Sequence, residues 1–264
     1  MSSPPSSSTS TSLQLLTEFK TWAMANENND IRDYATHGNL SRYLRAHNNN
    51  LSHAKRGLEA TVLWRETSIS STFICAPCKD TNGAAHCFIP LGSDASGAAI
   101  VYGCPARASA GGEVTHTLSH CVNALEKQWN NSSADDHGSR QWIWIVDFNG
   151  FGFTHAMNAR LGIAFASVFR DHFPERLKSI ILINPPYIFK ALIAAIGAIA
   201  DARTLAKLHQ VDVTNGTHAI TVLKETYNVI DTNILNWLQA VFDAPHTTPG
   251  TLPPLPKDAC KLQV

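Results

Sequence analysis

A long and almost wholly apolar run, from Ile180 to Ala200, constrains the fold of this chain more than any other feature. Its length is close to the roughly 20 residues that a membrane-spanning helix needs. Pro185 and Pro186 disfavour helix before them and remove two backbone donors, so the run is predicted to form two elements. The segment 179–184 (SIILIN) is short, β-branched and ended by an Asn-Pro-Pro turn signal, which predicts a buried strand. The segment 188–200 is then a short helix that is apolar on nearly every face and must be buried all round.

The balance of charge excludes one large class of partners. Lys and Arg together number 21, as do Asp and Glu, so the formal net charge is zero at pH 7. A nucleic-acid-binding protein usually carries a basic excess or stripe, and we therefore expect no nucleic-acid partner. Contact with a membrane surface would depend on apolar residues rather than on a polybasic patch.

The N-terminal segment 1–12 is rich in Ser, Thr and Pro, a composition typical of a disordered tail. It has neither the basic region nor the apolar region of a secretory signal. Six cysteines in a chain of 264 residues without such a signal are expected to be reduced thiols rather than a disulfide framework. We therefore expect a cytoplasmic protein.

Residues 13–67 are predicted to form a helical subdomain. Apolar residues recur at helical spacing in three pieces of this segment, and Ser52 is placed to cap the third helix. The sequence pattern then changes to two short segments typical of β-strands, HCFIPL (86–91) and AAIVYG (from Ala98), which are joined by the turn-rich GSDASG. Together these segments predict a β-hairpin. Apolar residues at helical spacing predict a further helix over 113–131.

A strand, a helix and a strand follow one another in the second half of the chain. WIWIVDF (142–148) is an almost uninterrupted buried-strand pattern, and residues 156–173 have helical periodicity before the strand at 179–184. This spacing predicts a βαβ crossover with parallel strands in one covered sheet. The predicted fold class is therefore α/β, with a mainly parallel, helix-covered sheet in a domain over 68–245 and a Pro-rich C-terminal tail over 246–264.

Five segments, in this order, carry a resemblance to the CRAL-TRIO family of lipid-binding and lipid-transfer proteins. They are LSRYLRAHNNNLSHAKRGLEATVLWRE (40–66), DASGAAIVYG (94–103), WIVDFNGFG (144–152), HFPERLKSIILINPP (172–186) and ARTLAKL (202–208). Because the segments occur in the family's order over residues 40–210, the resemblance is more specific than any single motif.

The resemblance implies a lipid cavity over the sheet, closed by the apolar helix 188–200 acting as a gate. It places Thr204, Lys207 and Glu175 near a lipid headgroup, and His47 would join them. The cavity and gate residues that it implies are aromatic or aliphatic: Tyr102, Phe148, Phe151, Phe165, Phe169, Ile188, Leu192, Ile196 and Ile199.

The implied function is the binding of one lipid, with transfer between membranes and a phospholipid such as phosphatidylinositol as the favoured ligand. The partners are then this hydrophobic ligand and, transiently, a membrane surface. Members that bind inositides carry Arg-Ala-Arg-Lys where this chain has Arg45-Ala46-His47-Asn48. Two cations are missing from that site, which leaves another lipid, a sterol or an isoprenoid as alternatives.

No catalytic signature accompanies these features. The nucleophile elbow GxSxG and the phosphate loop GxxxxGK[ST] are absent, and Asp147 has no evident partner base or nucleophile, so we expect neither an enzyme nor a cofactor.

Two alternatives remain open at the sequence level. One is a protein-interaction or scaffold module that keeps the fold without transferring lipid. The other is a zinc or thiol protein that uses Cys75, Cys78, His86 and Cys87, although the adjacent His-Cys pair lacks the usual knuckle spacing. His116 and His120, one helical turn apart, lack the Glu of an HExxH motif and are expected to be solvated.

Overall fold

Four helices form an N-terminal layer: α1 (Ser7–Met24), α2 (Asn29–Tyr34), α3 (His37–Ala46) and α4 (Leu51–Ser68). Helix α1 begins within the segment that the sequence predicts to be disordered. The cap of α4 is not Ser52 as predicted, because the Asn50 side chain accepts the hydrogen bond from the amide of His53. The structure is a computed structural model that describes residues 7–81, 83–110, 113–131, 141–156, 159–187, 189, 202–244 and 249–256.

A five-stranded sheet forms the centre of the molecule, in the order β1 (Phe88–Ser93), β2 (Ala99–Gly103), β3 (Trp142–Asp147), β4 (Leu177–Ile183) and β5 (Leu208–Val211). Strands β1 and β2 pair antiparallel, which confirms the predicted hairpin. The pairs β2–β3, β3–β4 and β4–β5 are parallel, which confirms the predicted βαβ crossover.

Helices cover both faces of this sheet. The predicted helix 156–173 corresponds to the helix that begins at Ala159, and a short helix at 153–156 lies before it. Residues 157 and 158 lie outside the described residues. The remaining helices of the described residues are α5 (Ala76–Asp80), α6 (Val114–Asn131), α7 (Phe153–Ala156), α8 (Ala159–His172), α9 (Ala202–Leu205), α10 (Gly216–Tyr227) and α11 (Thr232–Asp243). Apolar residues of α6 and α8 pack on one face, and apolar residues of α10 and α11 pack on the other.

The apolar run that starts at Ile180 is interrupted by its proline pair, Pro185 and Pro186. Its residues 180–183 form the second part of β4, which begins at Leu177, two residues before the predicted start, and ends at Ile183, next to the predicted Asn-Pro-Pro turn. Within the described parts of the chain, no helix combines the length and the apolar character that crossing a membrane requires. The predicted gate helix 188–200 lies outside the described residues, except for Phe189.

Arg107 fastens part of the Pro-rich C-terminal segment to the domain. Its buried guanidinium donates to the carbonyl oxygens of Val241 and Ala244 at 3.0 Å each and to that of Thr251 at 3.2 Å. Leu252 and Leu255 pack into the same core as α11. The described residues 249–256 therefore wrap against the second face of the sheet.

A buried ion pair joins the N-terminal helical layer to the sheet domain. Arg65 of α4 donates from both terminal nitrogens to the two carboxylate oxygens of Glu126 on α6, at 2.7 and 2.9 Å. The Glu126 side chain is only 8% exposed. Burial opposes the charge on Arg65, but the hydrogen bonds to Glu126 outweigh it and raise the pKa of the guanidinium. The indole ring of Trp64 stacks on the ring of His172 at 4.3 Å beside this pair.

We expect Glu126→Gln to lower the free energy of unfolding by about 1–3 kcal/mol, because it leaves a largely buried guanidinium opposite a neutral partner. The matched control is Glu18→Gln, whose pair with Lys55 spans 3.8 Å and whose side chain is 66% exposed. The control should change the free energy by less than about 0.5 kcal/mol. Urea unfolding of both variants measures this difference, and equal losses would show that the buried pair does not hold the two layers together.

Candidate ligand-binding cavity

A cavity of about 950 Å³ lies between the first face of the sheet, helix α8 and the N-terminal layer. Its volume is near the upper end of the range for ligand pockets. Alternate side chains of β3 and β4 point into it, while the residues between them face α10 and α11. Most of the lining is aromatic or aliphatic, and its sheet and α8 members include Trp142, Trp144, Val146, Ile180, Leu182, Leu161, Phe165, Ala166 and Phe169.

Aromatic rings line the long wall and one end of the cavity. Phe165 stacks on Trp144 with centroids 5.3 Å apart, and Phe169 stacks on Phe165 at 5.5 Å. At the carboxyl end of β3, Phe148 contacts Phe151 at 5.1 Å and Phe189 at 4.4 Å. This end of the cavity is therefore mainly aromatic, with the imidazole of His155 beside Phe151 at 5.3 Å.

The other end of the cavity, beside the start of β4, carries charge. The carboxylate of Glu175 forms an ion pair with the guanidinium of Arg203 of α9, with the oxygen and nitrogen atoms 3.7 Å apart. The Arg203 guanidinium also donates to the carbonyl oxygens of Arg45 and Ala46, at 3.2 and 3.4 Å. The ammonium group of Lys207 donates to the carbonyl oxygen of Leu177 at 2.8 Å. Two cations and one carboxylate thus lie together where the strands β4 and β5 begin.

His47 lies at the same end, directly after α3. Gly57 passes so close to it that a Cβ atom at position 57 would stand 2.8 Å from the His47 Nε2, which explains a glycine inside helix α4. Partial burial lowers the pKa of His47 below its usual 6.5, and the nearby His53 and Arg56 add to that effect. The imidazole is therefore neutral at neutral pH.

The two ends define an elongated, amphipathic site. The cavity follows β3 from Trp142 to Phe148, a path of about 20 Å at 3.3 Å per residue. An apolar chain would occupy its length, and a polar or anionic group would meet Arg203, Lys207 and His47 at the charged end.

The structure brings most of the predicted site residues together. The predicted headgroup residues and four of the predicted cavity residues line this one cavity: His47, Glu175, Thr204, Lys207, Phe148, Phe151, Phe165 and Phe169. The predicted gate residues lie outside the described residues: Ile188, Leu192, Ile196 and Ile199. Their roles toward a ligand stay predictions.

Tyr102 was wrongly predicted to line the cavity. It is fully buried on the opposite face of the sheet, where its ring meets that of Trp237 of α11 at 5.3 Å. Its hydroxyl donates to a carboxylate oxygen of Asp147 at 2.9 Å, and burial raises the pKa of the phenol. Successive side chains of a strand point to opposite faces of the sheet. Tyr102 pairs with Ile145 of β3, and both of these side chains face α10 and α11 rather than the cavity.

Two important cavity residues were missed by the sequence analysis. Trp144 forms much of the floor, and its position follows from the alternation in WIWIV once the cavity side of Trp142 is known. Arg203 carries the ion pair at the charged end. The sequence feature that could have indicated Arg203 is its position four residues before Lys207, a spacing that is compatible with one helical face.

A second group of side chains lies beside the cavity and offers metal ligands. Cys75, Cys78, His86 and His120 are all buried, and their ligand atoms lie within 4.8 Å of one another. Cys87, the predicted fourth ligand, is not in this group, because its side chain packs in the core on the other face of the sheet. Burial raises the pKa of the Cys78 thiol to about 12, the opposite of what a redox-active Cys-x-x-Cys pair needs.

The fold and the cavity define a lipid-binding class of protein, and sequence comparison names it. A family model described as CRAL/TRIO domain matches residues 84–233, more than half of the chain. The chain therefore belongs to the CRAL/TRIO family, as its sequence motifs predicted. The solved structure "Crystal structure of Sfh5" is similar in fold, with a TM-score of 0.60 at 14% sequence identity, and the match covers 86% of this chain and 85% of that one. No curated protein matches the chain in sequence.

We expect the free energy of unfolding to fall as the pH is lowered through about 6.5, partly because of His47. The folded-state pKa of His47 is depressed, so below 6.5 the unfolded chain takes up a proton that the folded chain does not, and stability is lost with falling pH. His47→Gln should make this loss smaller than in the unmodified protein, and His218→Gln, at an exposed position on α10, is the matched control. Chemical unfolding between pH 7 and pH 5 tests this, and an identical pH profile for His47→Gln would contradict it.

Proposed function

We propose that this protein carries one lipid between membranes, with the apolar part of the lipid in the cavity and its headgroup at the charged end. The observation that supports this most directly is the elongated apolar cavity of about 950 Å³ with His47, Arg203 and Lys207 at one end, in a CRAL/TRIO domain. The segment 188–200 would close the cavity as a gate. In this proposal, lipid binding and transfer involve no covalent chemistry, no cofactor and no catalytic residue.

The hydrophobic effect supplies the physical reason for such a carrier. Each buried CH₂ group contributes about 0.8 kcal/mol, so an acyl chain leaves a membrane for water only at a high cost in free energy. A protein cavity that buries the same chain removes most of that cost. The carrier would act in the cytoplasm and contact a membrane transiently, through apolar surface.

The charged end favours a phospholipid whose headgroup also carries hydroxyl groups, such as phosphatidylinositol. In the structure, Arg203 and Lys207 donate to backbone carbonyl oxygens. A charged phosphate is a stronger hydrogen-bond acceptor than a carbonyl oxygen for both side chains. Glu175 lies beside them and, as an ionised carboxylate, accepts hydrogen bonds but donates none. Headgroup hydroxyls would satisfy Glu175, whereas a second phosphate near it would be repelled.

A cavity-filling variant tests the apolar site. Ala166 of α8 lines the cavity, so Ala166→Trp should occupy the path of the chain and weaken uptake of a fluorescent phospholipid from vesicles by about tenfold or more, equivalent to about 1.4 kcal/mol. Ile163 on the same helix is exposed, and Ile163→Trp adds a similar side chain outside the cavity. The control should take up lipid like the unmodified protein. Equal uptake by Ala166→Trp would place the lipid elsewhere.

A charge reversal tests the headgroup site. Native mass spectrometry and lipid extraction would be applied to the protein purified from a eukaryotic host, to Lys207→Glu, and to Lys224→Glu, an exposed lysine of α10. We expect a stoichiometric phospholipid in the unmodified protein and the control, and its loss or exchange for another lipid class in Lys207→Glu. A bound lipid that Lys207→Glu does not alter would contradict the headgroup site alone. A protein that is empty and takes up no lipid would contradict the carrier and favour a scaffold role.

A further inference from the structure

The four-residue group beside the cavity is assembled from three separate parts of the chain. Cys75 precedes helix α5 and Cys78 lies within it, His86 lies two residues before β1, and His120 belongs to α6. His86 is 6% exposed and His120 is 3% exposed. Buried polar and titratable groups are normally hydrogen-bonded, so a buried group of four with facing ligand atoms requires an explanation.

Each imidazole uses one nitrogen in a hydrogen bond and directs the other away from it. The Nε2 of His120 lies 3.2 Å from the carbonyl oxygen of Phe88, which can only accept, so Nε2 carries the proton and Nδ1 keeps its lone pair. The Nδ1 of His86 lies 3.3 Å from the hydroxyl of Thr117, and that hydroxyl donates to the carbonyl oxygen of Glu113. His86 Nδ1 is therefore the donor to Thr117, and its Nε2 keeps the lone pair.

The two remaining nitrogens, His86 Nε2 and His120 Nδ1, are buried and have no hydrogen-bond partner among the residues that the structure describes. An unpartnered buried acceptor destabilises a fold unless something else satisfies it. A metal ion does so, and metal-binding histidines characteristically donate their second ring nitrogen to an oxygen, as both imidazoles do here.

We propose that Cys75, Cys78, His86 and His120 bind one zinc ion. Cys₂His₂ is a common ligand set of structural zinc, and two residues separate the cysteines, within its usual spacing. With metal–ligand lengths of about 2.0–2.3 Å, the ligand atoms around a tetrahedral zinc ion stand roughly 3.3–3.8 Å apart. Atoms that already lie within 4.8 Å of one another reach these distances through small side-chain rotations.

The charges of the site also fit zinc. Two thiolates balance the two positive charges of the ion, and two neutral imidazoles complete its coordination, so the buried complex carries no net charge. Four protein ligands leave no open position for a water molecule or substrate, which makes the site structural rather than catalytic.

The zinc ion would hold a segment that has little core of its own. Around helix α5 the buried apolar cluster contains only Cys75, Cys78 and Ala85, with Phe73 and Ala110 packed against it among the described residues. A metal that joins this segment to α6 contributes its binding free energy to folding. His86 also lines the cavity wall, so the same metal would fix that wall beside β1.

The first test uses the full chain, purified in reducing buffer without chelator. We expect one zinc ion per chain by elemental analysis, and X-ray absorption with two sulfur ligands near 2.3 Å and two nitrogen ligands near 2.0 Å. A protein without zinc that also develops no thiolate-to-metal charge-transfer band on titration with Co²⁺ would overturn the proposal. Three sulfur ligands would overturn the ligand set, because a third thiolate has to come from outside this group.

Variants then assign the ligands. His120→Asn and Cys78→Ser should lose the stoichiometric zinc and lower the melting temperature, whereas Cys121→Ser, at the buried position next to His120, should keep the metal. Cys87→Ser should also keep it, since that side chain lies outside the group. Zinc that is retained in His120→Asn or lost in Cys87→Ser would overturn the assignment. If a ligand variant does not fold, the absorption spectrum of the unmodified protein still decides between these outcomes.

Discussion

The two-sided character of the central strands is the constraint on which the rest of this structure depends. A parallel strand places successive side chains on opposite faces, so both faces of the sheet need apolar cover. On one face the cover is close, because α10 and α11 supply buried residues such as Leu223, Trp237 and Leu238. On the other face α6 and α8 cover the sheet only in part, and the indole of Trp144 and the ring of Phe165 border a space large enough for a ligand. The cavity is thus the part of the sheet surface that the chain's own described helices leave uncovered.

The sequence predicted the elements of this fold well where local chemistry decides them. The proline pair at 185–186 divides the apolar run, and the strand before it forms because β-branched residues and a turn signal act over a few positions. Tyr102 was misplaced because its face depends on the register with β3, which the pattern of β2 alone does not contain. Asn50 and Ser52 both have side chains that cap helices, and the backbone conformation at Asn50, rather than residue type, decided between them.

The metal-ligand group shows the same limit for long-range contacts. The sequence placed Cys87 beside His86 because the two are neighbours in the chain, but they lie in the turn before β1, where Cys87 has a positive φ of 45°. The Cys87 side chain packs in the core on the other face of the sheet. His120 is distant in sequence, and the packing of α6 over β1 brings it to His86, with ring centroids 4.9 Å apart. Helical periodicity placed His120 on a helix, and only the tertiary fold could show which face of that helix is buried.

The charged end of the cavity is joined to the N-terminal helical layer through Arg203. Arg203 holds Glu175 on one side and, on the other, the carbonyl oxygens of Arg45 and Ala46 at the end of α3, where the helix dipole favours a cation. A phosphate that takes hydrogen bonds from Arg203 does so in competition with those carbonyl oxygens. If the proposed headgroup binds at Arg203, it shares one guanidinium with the contact between α3 and α9. A ligand that took all the hydrogen bonds of Arg203 would then weaken that contact. The buried Arg65–Glu126 pair joins the same helical layer to the sheet domain through α6 and does not involve Arg203.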